Sequence, residues 1–510
     1  MRNKIITGGC SFMEEIISYF YEVFIPKIID VRINFYKDEH HCVGDLALAT
    51  KNETDRLGQK VLESFIAEMD TLIKELPERK QRWYVERAAD KKCLTTILGE
   101  IVFTKTLYTS KTEVTDDGKE LQCYLLDKFL ELDENQSMTE DVVAKIYEEA
   151  VDTSYRKAGV ECTPKGITKQ TVKNLLHRTQ FPKNFQIPEK KKEVDYLYID
   201  ADEDHYHLQF HEVRGDIKVN ENGRKNNGAM TKMIYVYEGI EPEAPKSKRN
   251  KLINTHYFLR GYDQTNKDMW KEVFEYIDAT YDVEKIKRIY INSDGGQWIK
   301  TGYRGLADIT FVLDEFHLSK YVFKMIAHTK DTQEDARNKV YSCIRKQSKE
   351  DFFKVVEQLK GCTKSEKTHE KIDEAAKYIA SNWTAAKLRL KKKEGVVGSS
   401  TEGHVYHALS RRMSTQALGW SRVGANHMAR LREYKLNGGD MLELAKYQKE
   451  DVPLAAGAEE VVLSATAILA SERTNRSKLQ KEYGKYAQAM SSSLSLQSAK
   501  RLTFYLHGKL

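Results

Sequence analysis

The chain has 510 residues, of which 31% are charged and 40% hydrophobic. It is therefore neither a disordered polymer nor a membrane protein, and its length suggests several domains. Basic residues exceed acidic residues by only six, and the seven cysteines form no CxxC pair, which excludes a zinc ribbon and favours a reducing, cytoplasmic location.

Residues 1–110 are predicted to form a helical region that ends in a short β segment. The apolar stretch 16–29 contains Glu22, Pro26 and Lys27, so it predicts neither a membrane span nor a cleavable signal peptide. Apolar residues between 57 and 73 recur at helical spacing and predict an amphipathic core helix. Residues 95–110 are rich in Thr, Ile, Val and Tyr and predict the β segment.

The segment 111–192 is predicted to hold an acidic stretch, a DNA-binding helix pair and a basic linker. Residues 111–150 contain four basic and twelve acidic residues, which predicts solvated helices and loops. Helices over about 140–157 and 168–178 match a helix-turn-helix, whose second helix enters the major groove; a plain helical hairpin is the alternative. The residues predicted to contact DNA from the second helix are Lys169, Gln170, Lys173, Asn174 and Arg178.

Residues 193–324 change to strands separated by helices. The first three predicted strands, 194–199, 205–213 and 230–237, can be antiparallel neighbours. The last two, 286–292 and 309–313, follow helices and are predicted to be parallel. This order is that of a ribonuclease H-like mixed sheet, so the segment is interpreted as the first part of a catalytic core.

The rest of the chain is predicted to be helical. Apolar periodicity over residues 325–395 predicts a helical insertion, and residues 396–434 are interpreted as the last helix of the catalytic core. Residues 435–510 are predicted to form a C-terminal helical tail. The predicted fold class is thus α/β plus α.

Carboxylates stand at the ends of the predicted strands. Asp200 and Asp202 end the first strand, Asp294 follows the fourth, and Asp314 and His317 follow the fifth. Catalytic groups of α/β sheets favour such positions, although a single carboxylate there is more often a turn former or helix cap. Oxygen ligands without cysteine suit Mg²⁺ or Mn²⁺ rather than zinc.

A third carboxylate is expected from a later helix, and Glu402 is the best candidate. Thr401 or Ser400 would cap that helix, and a plain capping role for Glu402 is the alternative. Glu394 and Glu472 are weaker candidates.

The charge excess is concentrated in two segments. Residues 151–192 and residues 381–434 each contain ten basic and three acidic residues. Arg411 and Arg412 lie in the second segment and are predicted to contact DNA. Both segments are therefore expected to attract phosphate, with strongly salt-dependent binding.

Four strings together resemble bacterial insertion-sequence transposases of the Lre type, a former uncharacterised protein family related to the Mutator-like DDE transposases. The strings are YLYIDADEDH, YINSDGGQWIKTG, LDEFHLSKY and GSSTEGHVYHALSRRMS with a following GWS. The resemblance covers about residues 80–435 and implies a ribonuclease H-like catalytic domain with a helical insertion.

The resemblance implies a DDE transposase whose catalytic and metal-binding residues are Asp202, Asp294 and Glu402, with Asp200 as the alternate first aspartate. Two Mg²⁺ or Mn²⁺ ions would be its cofactors, serving DNA cleavage and strand transfer.

Further implications concern the auxiliary residues and the partners. Asp314 and His317 match an auxiliary C/DxxH motif. The implied partners are the double-stranded DNA of the terminal inverted repeats and of the target, bound by a homodimer or higher oligomer, with no membrane. The implied location is the bacterial cytoplasm, in association with the nucleoid. Two other functions stay open: a ribonuclease H-like nuclease that only cuts, and a DNA-binding regulator with an inactive catalytic domain.

Overall fold

The computed structural model describes residues 8–37 and 42–449, apart from positions 184, 186, 248, 262–263, 303–308, 347, 392–393 and 417. Glu472 and most of the predicted C-terminal tail lie outside the described residues. Among the helices described, none combines the length and the apolar character needed to cross a membrane. Two compact units divide the described chain: the first contains residues up to Val143 and Thr163–Gly166, and the second contains Ala144–Cys162 and residues from Ile167 onward.

The first unit combines helices with a three-stranded antiparallel sheet. Its elements are α1 (Gly8–Tyr19), a π-helical turn (Phe20–Phe24), α2 (Ile25–Lys37), α3 (Val43–Glu75), α4 (Pro77–Arg82), β1 (Trp83–Thr96), β2 (Gly99–Val114), β3 (Glu120–Tyr124) and α5 (Leu125–Phe129). Helix α3 contains the predicted core helix and buries Ile66 and Ile73. Side chains at the beginning of β2 alternate between buried and exposed, and the buried Ile101 and Phe103 join the same core. The helical prediction up to residue 95 is wrong at its end, because β1 begins at Trp83.

Three helices occupy the region of the predicted helix-turn-helix: α6 (Glu140–Asp152), α7 (Tyr155–Glu161) and α8 (Lys169–Arg178). The predicted first helix is interrupted because Ser154 adopts an extended backbone and caps α7 with its side chain. Helix α8 begins as predicted, with the Thr168 hydroxyl accepting a hydrogen bond from the Thr171 amide at 3.2 Å.

The second unit contains a mixed sheet of strand order β10-β9-β4-β5-β8. Its strands and the small β6–β7 ribbon are β4 (Tyr196–Leu208), β5 (Gly228–Tyr237), β6 (Gly239–Pro242), β7 (Asn250–Ile253), β8 (His256–Arg260), β9 (Arg288–Ser293), β10 (Ile309–Leu313) and β11 (Gly419–Trp420). Strands β4, β9 and β10 are parallel, whereas β4–β5 and β5–β8 are antiparallel. Strand β11 pairs in parallel with the end of β4.

The predicted mixed α/β class is confirmed, but two strand predictions are wrong. The first two predicted strands are one strand, β4, because β5 pairs with it continuously from Tyr198 to His207. The strand β8 was not predicted, because its sequence HYFLR is short and has no clear alternation.

Alternation along β4 gives its two faces different roles. Leu197, Ile199 and Ala201 pack into an apolar core with residues of α9 (Asn266–Thr280) such as Trp270 and Val273. The opposite face therefore carries Tyr198, Asp200, Asp202 and Asp204, since successive side chains of a strand point to opposite sides.

Helices fill the interval between β10 and the segment that contains Glu402. The helices of the second unit after β9 are α10 (Gln297–Gly302), α11 (Glu315–Ile326), α12 (Gln333–Lys346), α13 (Lys349–Gly361), α14 (Glu366–Ser381), α15 (Trp383–Lys391), α16 (Thr401–Val405), α17 (Arg411–Met413), α18 (Arg422–Leu436) and α19 (Met441–Tyr447). A π-helical turn, Tyr406–Ser410, joins α16 to α17. Most of the apolar positions that predict the insertion, including Phe352, Ile372 and Ile379, form a buried cluster, whereas Phe353 is exposed.

Candidate functional site

Three aspartates lie in one row across the parallel strands β4, β9 and β10. Ala201 pairs with Ser293, and Ser293 pairs with Leu313. The next residue of each chain segment is Asp202, Asp294 and Asp314 respectively. Parallel register therefore brings together carboxylates that are 92 and 20 positions apart in the sequence.

The backbone after β9 holds Asp294 in place. The Asp294 carboxylate accepts a hydrogen bond from the Gly296 amide at 2.7 Å. The backbone carbonyl of Asp294 accepts one from the Tyr378 hydroxyl at 2.5 Å. Gly295 has φ +83, and a Cβ there would approach the Asn382 side chain to 2.8 Å. The sequence pattern Asp-Gly-Gly thus has a conformational reason, and the helical insertion, through Tyr378, holds the backbone at Asp294.

Asp314 and His317 form a pair at the start of α11. The Asp314 carboxylate caps this helix by accepting the His317 amide, and it lies 3.2 Å from Nδ1 of the same histidine. Burial would raise the pKa of Asp314, but the hydrogen bonds from His317 and Ser399 outweigh it and lower the pKa. Burial would conversely lower the pKa of His317, and the hydrogen bond and charge of Asp314 raise it.

Glu402 reaches this group from the first turn of α16. Its side chain is 50% exposed, and its Oε1 lies 3.9 Å from Nε2 of His317. The structure therefore brings the predicted Asp202, Asp294, Glu402, Asp314 and His317 to one site. Glu394 is instead exposed and accepts a hydrogen bond from Tyr196.

Asp202 lies in an environment that disfavours its charged form. Burial, together with the neighbouring charge of Asp294, raises its pKa to about 7, against a smaller opposing effect of His317. Its Oδ1 accepts a hydrogen bond from the Glu203 amide at 2.9 Å. The two negative carboxylates repel each other, so a cation between them would be stabilised.

Asp200, the alternate first aspartate, lies in a different environment. It is 1% exposed, and hydroxyl or amide groups of Tyr235, Tyr237, Asn292, Ser399 and Thr401 donate to its carboxylate. Burial raises its pKa to about 6, and these hydrogen bonds limit the rise. The carboxylate oxygens of Asp200 are already engaged by the protein. Asp202 is therefore the better candidate metal ligand.

The donor chemistry of the row fits a divalent cation. Within the described residues, no three His, Cys, Asp or Glu side chains already stand in a metal-ligand arrangement. The row nevertheless offers carboxylate oxygens, the donors that Mg²⁺ and Mn²⁺ prefer, and burial together with the neighbouring charge of Asp294 raises the pKa of Asp202.

The predicted DNA-contacting residues differ in their accessibility. The five on α8, namely Lys169, Gln170, Lys173, Asn174 and Arg178, are exposed, while Val172, Leu175 and Leu176 form the buried face. Arg411 is also exposed.

The prediction for Arg412 is wrong. This residue is 2% exposed, its Nε donates to the Ala150 carbonyl at 3.1 Å, and its guanidinium stacks 4.8 Å from the Trp420 ring centroid. A side chain engaged in this way cannot contact DNA. The local sequence, SRRMS over residues 410–414, does not distinguish Arg412 from the exposed Arg411, so only the tertiary packing reveals its burial.

Sequence reasoning missed several supporting residues. The Ser399 hydroxyl donates to the Asp200 carboxylate, and the Tyr378 hydroxyl donates to the backbone carbonyl of Asp294. Asp204 accepts hydrogen bonds from two serines. Hydroxyl groups carry no charge and follow no periodicity, so only the fold identifies them. Asp204 had a usable signal, because it continues the alternation of Asp200 and Asp202.

Comparison with known proteins identifies relatives along most of the chain. The profile of an uncharacterised protein family, UPF0236, matches residues 37–450. A UPF0236 protein of Caldanaerobacter subterraneus subsp. tengcongensis is 38% identical over 411 residues, which cover 80% of this chain and 81% of the relative, and its name joins eleven locus designations of that strain. A second UPF0236 protein of that strain is 36% identical over 453 residues, covering 89% and 88%. One from Streptococcus gallolyticus is 22% identical over 407 residues, covering 76% and 81%. This chain is therefore a member of the UPF0236 family.

Proposed function

We propose that this chain is a DDE transposase of an insertion sequence, which binds the terminal inverted repeats of its element and catalyses metal-dependent DNA cleavage and strand transfer. The observation that carries the proposal is the register of β4, β9 and β10. That register aligns Asp202, Asp294 and Asp314 at one level of the sheet, and Glu402 reaches the same site.

The topology supports the proposal. Numbered along the chain, the five sheet strands run in the order 5-4-1-2-3. The second strand is antiparallel to both the first and the third, and the fourth and fifth are parallel to the first. This is the arrangement expected of a ribonuclease H-like fold. Helices α12–α15 occupy the interval before Glu402, where the resemblance implies an insertion.

Asp202, Asp294 and Glu402 would hold two Mg²⁺ or Mn²⁺ ions. Such ions, when bound, activate an attacking hydroxyl and stabilise the leaving oxygen of a phosphodiester. The protein itself fixes the first two carboxylates on adjacent parallel strands, Asp202 within β4 and Asp294 directly after β9. His317, held by Asp314, supplies a proton-bearing group 3.9 Å from Glu402. No nucleophilic side chain is needed, because positioning and charge stabilisation supply the catalysis.

The exposed face of α8 is the proposed DNA-reading surface. Its polar and basic side chains project away from a buried apolar face, as the second helix of a helix-turn-helix requires. Gln170 and Asn174 can hydrogen-bond base edges, while Lys169, Lys173 and Arg178 attract phosphate.

The relatives offer independent support. A name that joins eleven locus designations of one strain is what a gene copied repeatedly within a genome would produce. Copying of this kind is the expected result of transposition.

The proposal is tested with the purified chain, Mg²⁺ and duplex oligonucleotides that carry the ends of the DNA element around its gene. We expect cleavage that exposes a 3′-hydroxyl, followed by joining to a second duplex. Asp294→Asn should lower cleavage by about 1,000-fold or more while leaving DNA binding intact, because it removes a metal ligand but no binding surface. The matched control is Asp195→Asn, an exposed aspartate at the start of β4, which should cleave like the unmodified protein.

Three results would contradict the proposal. Cleavage without joining would indicate a nuclease, and DNA binding without either step would indicate a regulator. Full cleavage by the Asp294→Asn variant would exclude the carboxylate row as the metal site.

A further inference from the structure

The three aspartates of β4 face one helical segment. Residues 401–413, called here the Glu402 helix, comprise α16, the π-helical turn and α17. Asp200, Asp202 and Asp204 lie on the same face of β4 because they are two residues apart. Their hydrogen bonds to the helix nevertheless differ.

Asp200 contacts the beginning of the Glu402 helix. The Thr401 hydroxyl donates to its Oδ2 at 3.2 Å, and the Ser399 hydroxyl, in the preceding loop, donates at 3.3 Å. Tyr235 and Tyr237 hold the same carboxylate from β5, at 2.8 and 3.2 Å. Thr401 is directly followed by Glu402, so this contact fixes the residue next to the proposed ligand.

Asp204 contacts the other end of the same helix. Its Oδ1 accepts hydrogen bonds from the hydroxyl of Ser410 at 2.9 Å and from that of Ser414 at 3.0 Å. Ser410 ends the π-helical turn, and Ser414 follows α17. The helix is therefore attached to β4 near both of its ends.

Asp202 lies between these two attachments and is engaged differently. The hydrogen bond to its carboxylate comes from the Glu203 amide within β4. The middle carboxylate is the one that interacts electrostatically with Asp294 and His317. One strand thus carries two aspartates that bind a helix and, between them, one that faces the proposed metal site.

We infer that Asp200 and Asp204 are positioning residues, which hold the Glu402 helix to β4 at both ends and so fix Glu402 relative to Asp202. The effect on metal binding rests on the proposed function. The attachment of the helix does not, since it can be measured without metal or DNA.

Hydrogen–deuterium exchange of the full chain tests the attachment. Asp200→Asn should speed amide exchange in residues 401–405 by about tenfold, and Asp204→Asn should do so in residues 406–414, because each removes charge-assisted hydrogen bonds. Asp202→Asn is the matched control on the same strand face and should not speed exchange in the Glu402 helix. Unchanged exchange in the first two variants would overturn the inference.

Variants on the helix side protect the test against misfolding of the aspartate variants. Thr401→Val keeps the side-chain volume and removes the hydroxyl that contacts Asp200, and Ser410→Ala combined with Ser414→Ala removes both contacts to Asp204. Each should speed exchange in its own half of the helix by a few-fold. If Asp200→Asn does not fold and Thr401→Val exchanges normally, the inference is wrong.

Mn²⁺ binding, followed by the electron paramagnetic resonance signal of the free ion, tests the link to Glu402. Asp200→Asn and Glu402→Gln should each weaken binding by about tenfold, and the double variant should bind no more weakly than the weaker single variant, because both act through one ligand. Multiplicative losses would mean that Asp200 does not act through Glu402. An unmodified protein that binds no Mn²⁺ would contradict the proposed function, while the exchange experiment would still decide the attachment.

Discussion

Segments 151–192 and 381–434 have the same charge composition, ten basic and three acidic residues each, but the structure buries three arginines of the second segment. In the first segment, Lys169, Lys173 and Arg178 are exposed on α8. In the second, Arg389, Arg412 and Arg432 are buried, with 5%, 2% and 5% of their surface exposed.

The buried arginines bind backbone carbonyls rather than water or phosphate. Arg432 on α18 donates to the carbonyls of Val151, His407 and Ala408, and so joins α18 to the end of α6 and to the Glu402 helix. Arg389 donates to the Leu313 carbonyl at 2.9 Å. A count of charges therefore measures electrostatic attraction only where the charges reach solvent.

The largest expected effect is a difference in stability between variants of a buried cation in one segment and an exposed cation in the other. Arg432→Met should lower the free energy of unfolding by about 3 kcal/mol, because three buried carbonyls lose their donor. Lys173→Met, the matched change on α8, should alter it by less than about 0.5 kcal/mol. Urea titrations of both variants measure the difference. Equal losses of unfolding free energy would mean that the two segments do not differ in how they use their cations.

The second prediction tests whether the cations of residues 381–434 neutralise the carboxylates of Asp202, Asp294 and Asp314. In the metal-free protein, Asp202→Asn should raise the free energy of unfolding by about 2 kcal/mol at pH 8, with the gain fading towards pH 4. The reason is that the pKa of Asp202 is about 7 in the folded protein but has its ordinary value of 3.8 when unfolded. The carboxyl therefore stabilises the fold below pH 4, and this stability is lost as the pH rises to 7.

Urea titrations at several pH values measure this effect. Asp195→Asn, an exposed change, serves as the control and should show no such trend. If Asp202→Asn destabilised the protein at pH 8, cations of residues 381–434 would be neutralising the carboxylate row. The cations of that segment would then not be withheld by burial, and the difference from residues 151–192 would disappear.

The smallest effect concerns DNA affinity. Lys173→Ala should weaken DNA binding by up to about tenfold at low salt and reduce the slope of log K against log salt by about one, because one phosphate contact is lost. Arg411→Ala, the exposed arginine of the second segment, should have a similar or smaller effect. Fluorescence anisotropy at several salt concentrations measures both, and a full salt slope in the Lys173→Ala variant would contradict the role of α8.

Much of the local structure could be predicted, since it follows from periodicity and capping. Helix α8, Lys169–Arg178, matches the helix predicted over 168–178, and strands β5, β9 and β10 lie close to their predicted positions. Strand β8 was missed and β4 was divided, because both outcomes depend on pairing with β5 and not on the local pattern.

The sequence by itself determined three features, because each follows from spacing along the chain. They are the amphipathic face of α8, the strand-end positions of Asp294 and Asp314, and the helical insertion. Tertiary structure alone decided which aspartate of β4 is left for a ligand and which arginines reach solvent. The groups that bury Asp200 include Tyr235 and Thr401, which lie 35 and 201 positions away. Burial and hydrogen bonding at such separations depend on how strands and helices pack, and a pattern of neighbouring residues does not contain that information.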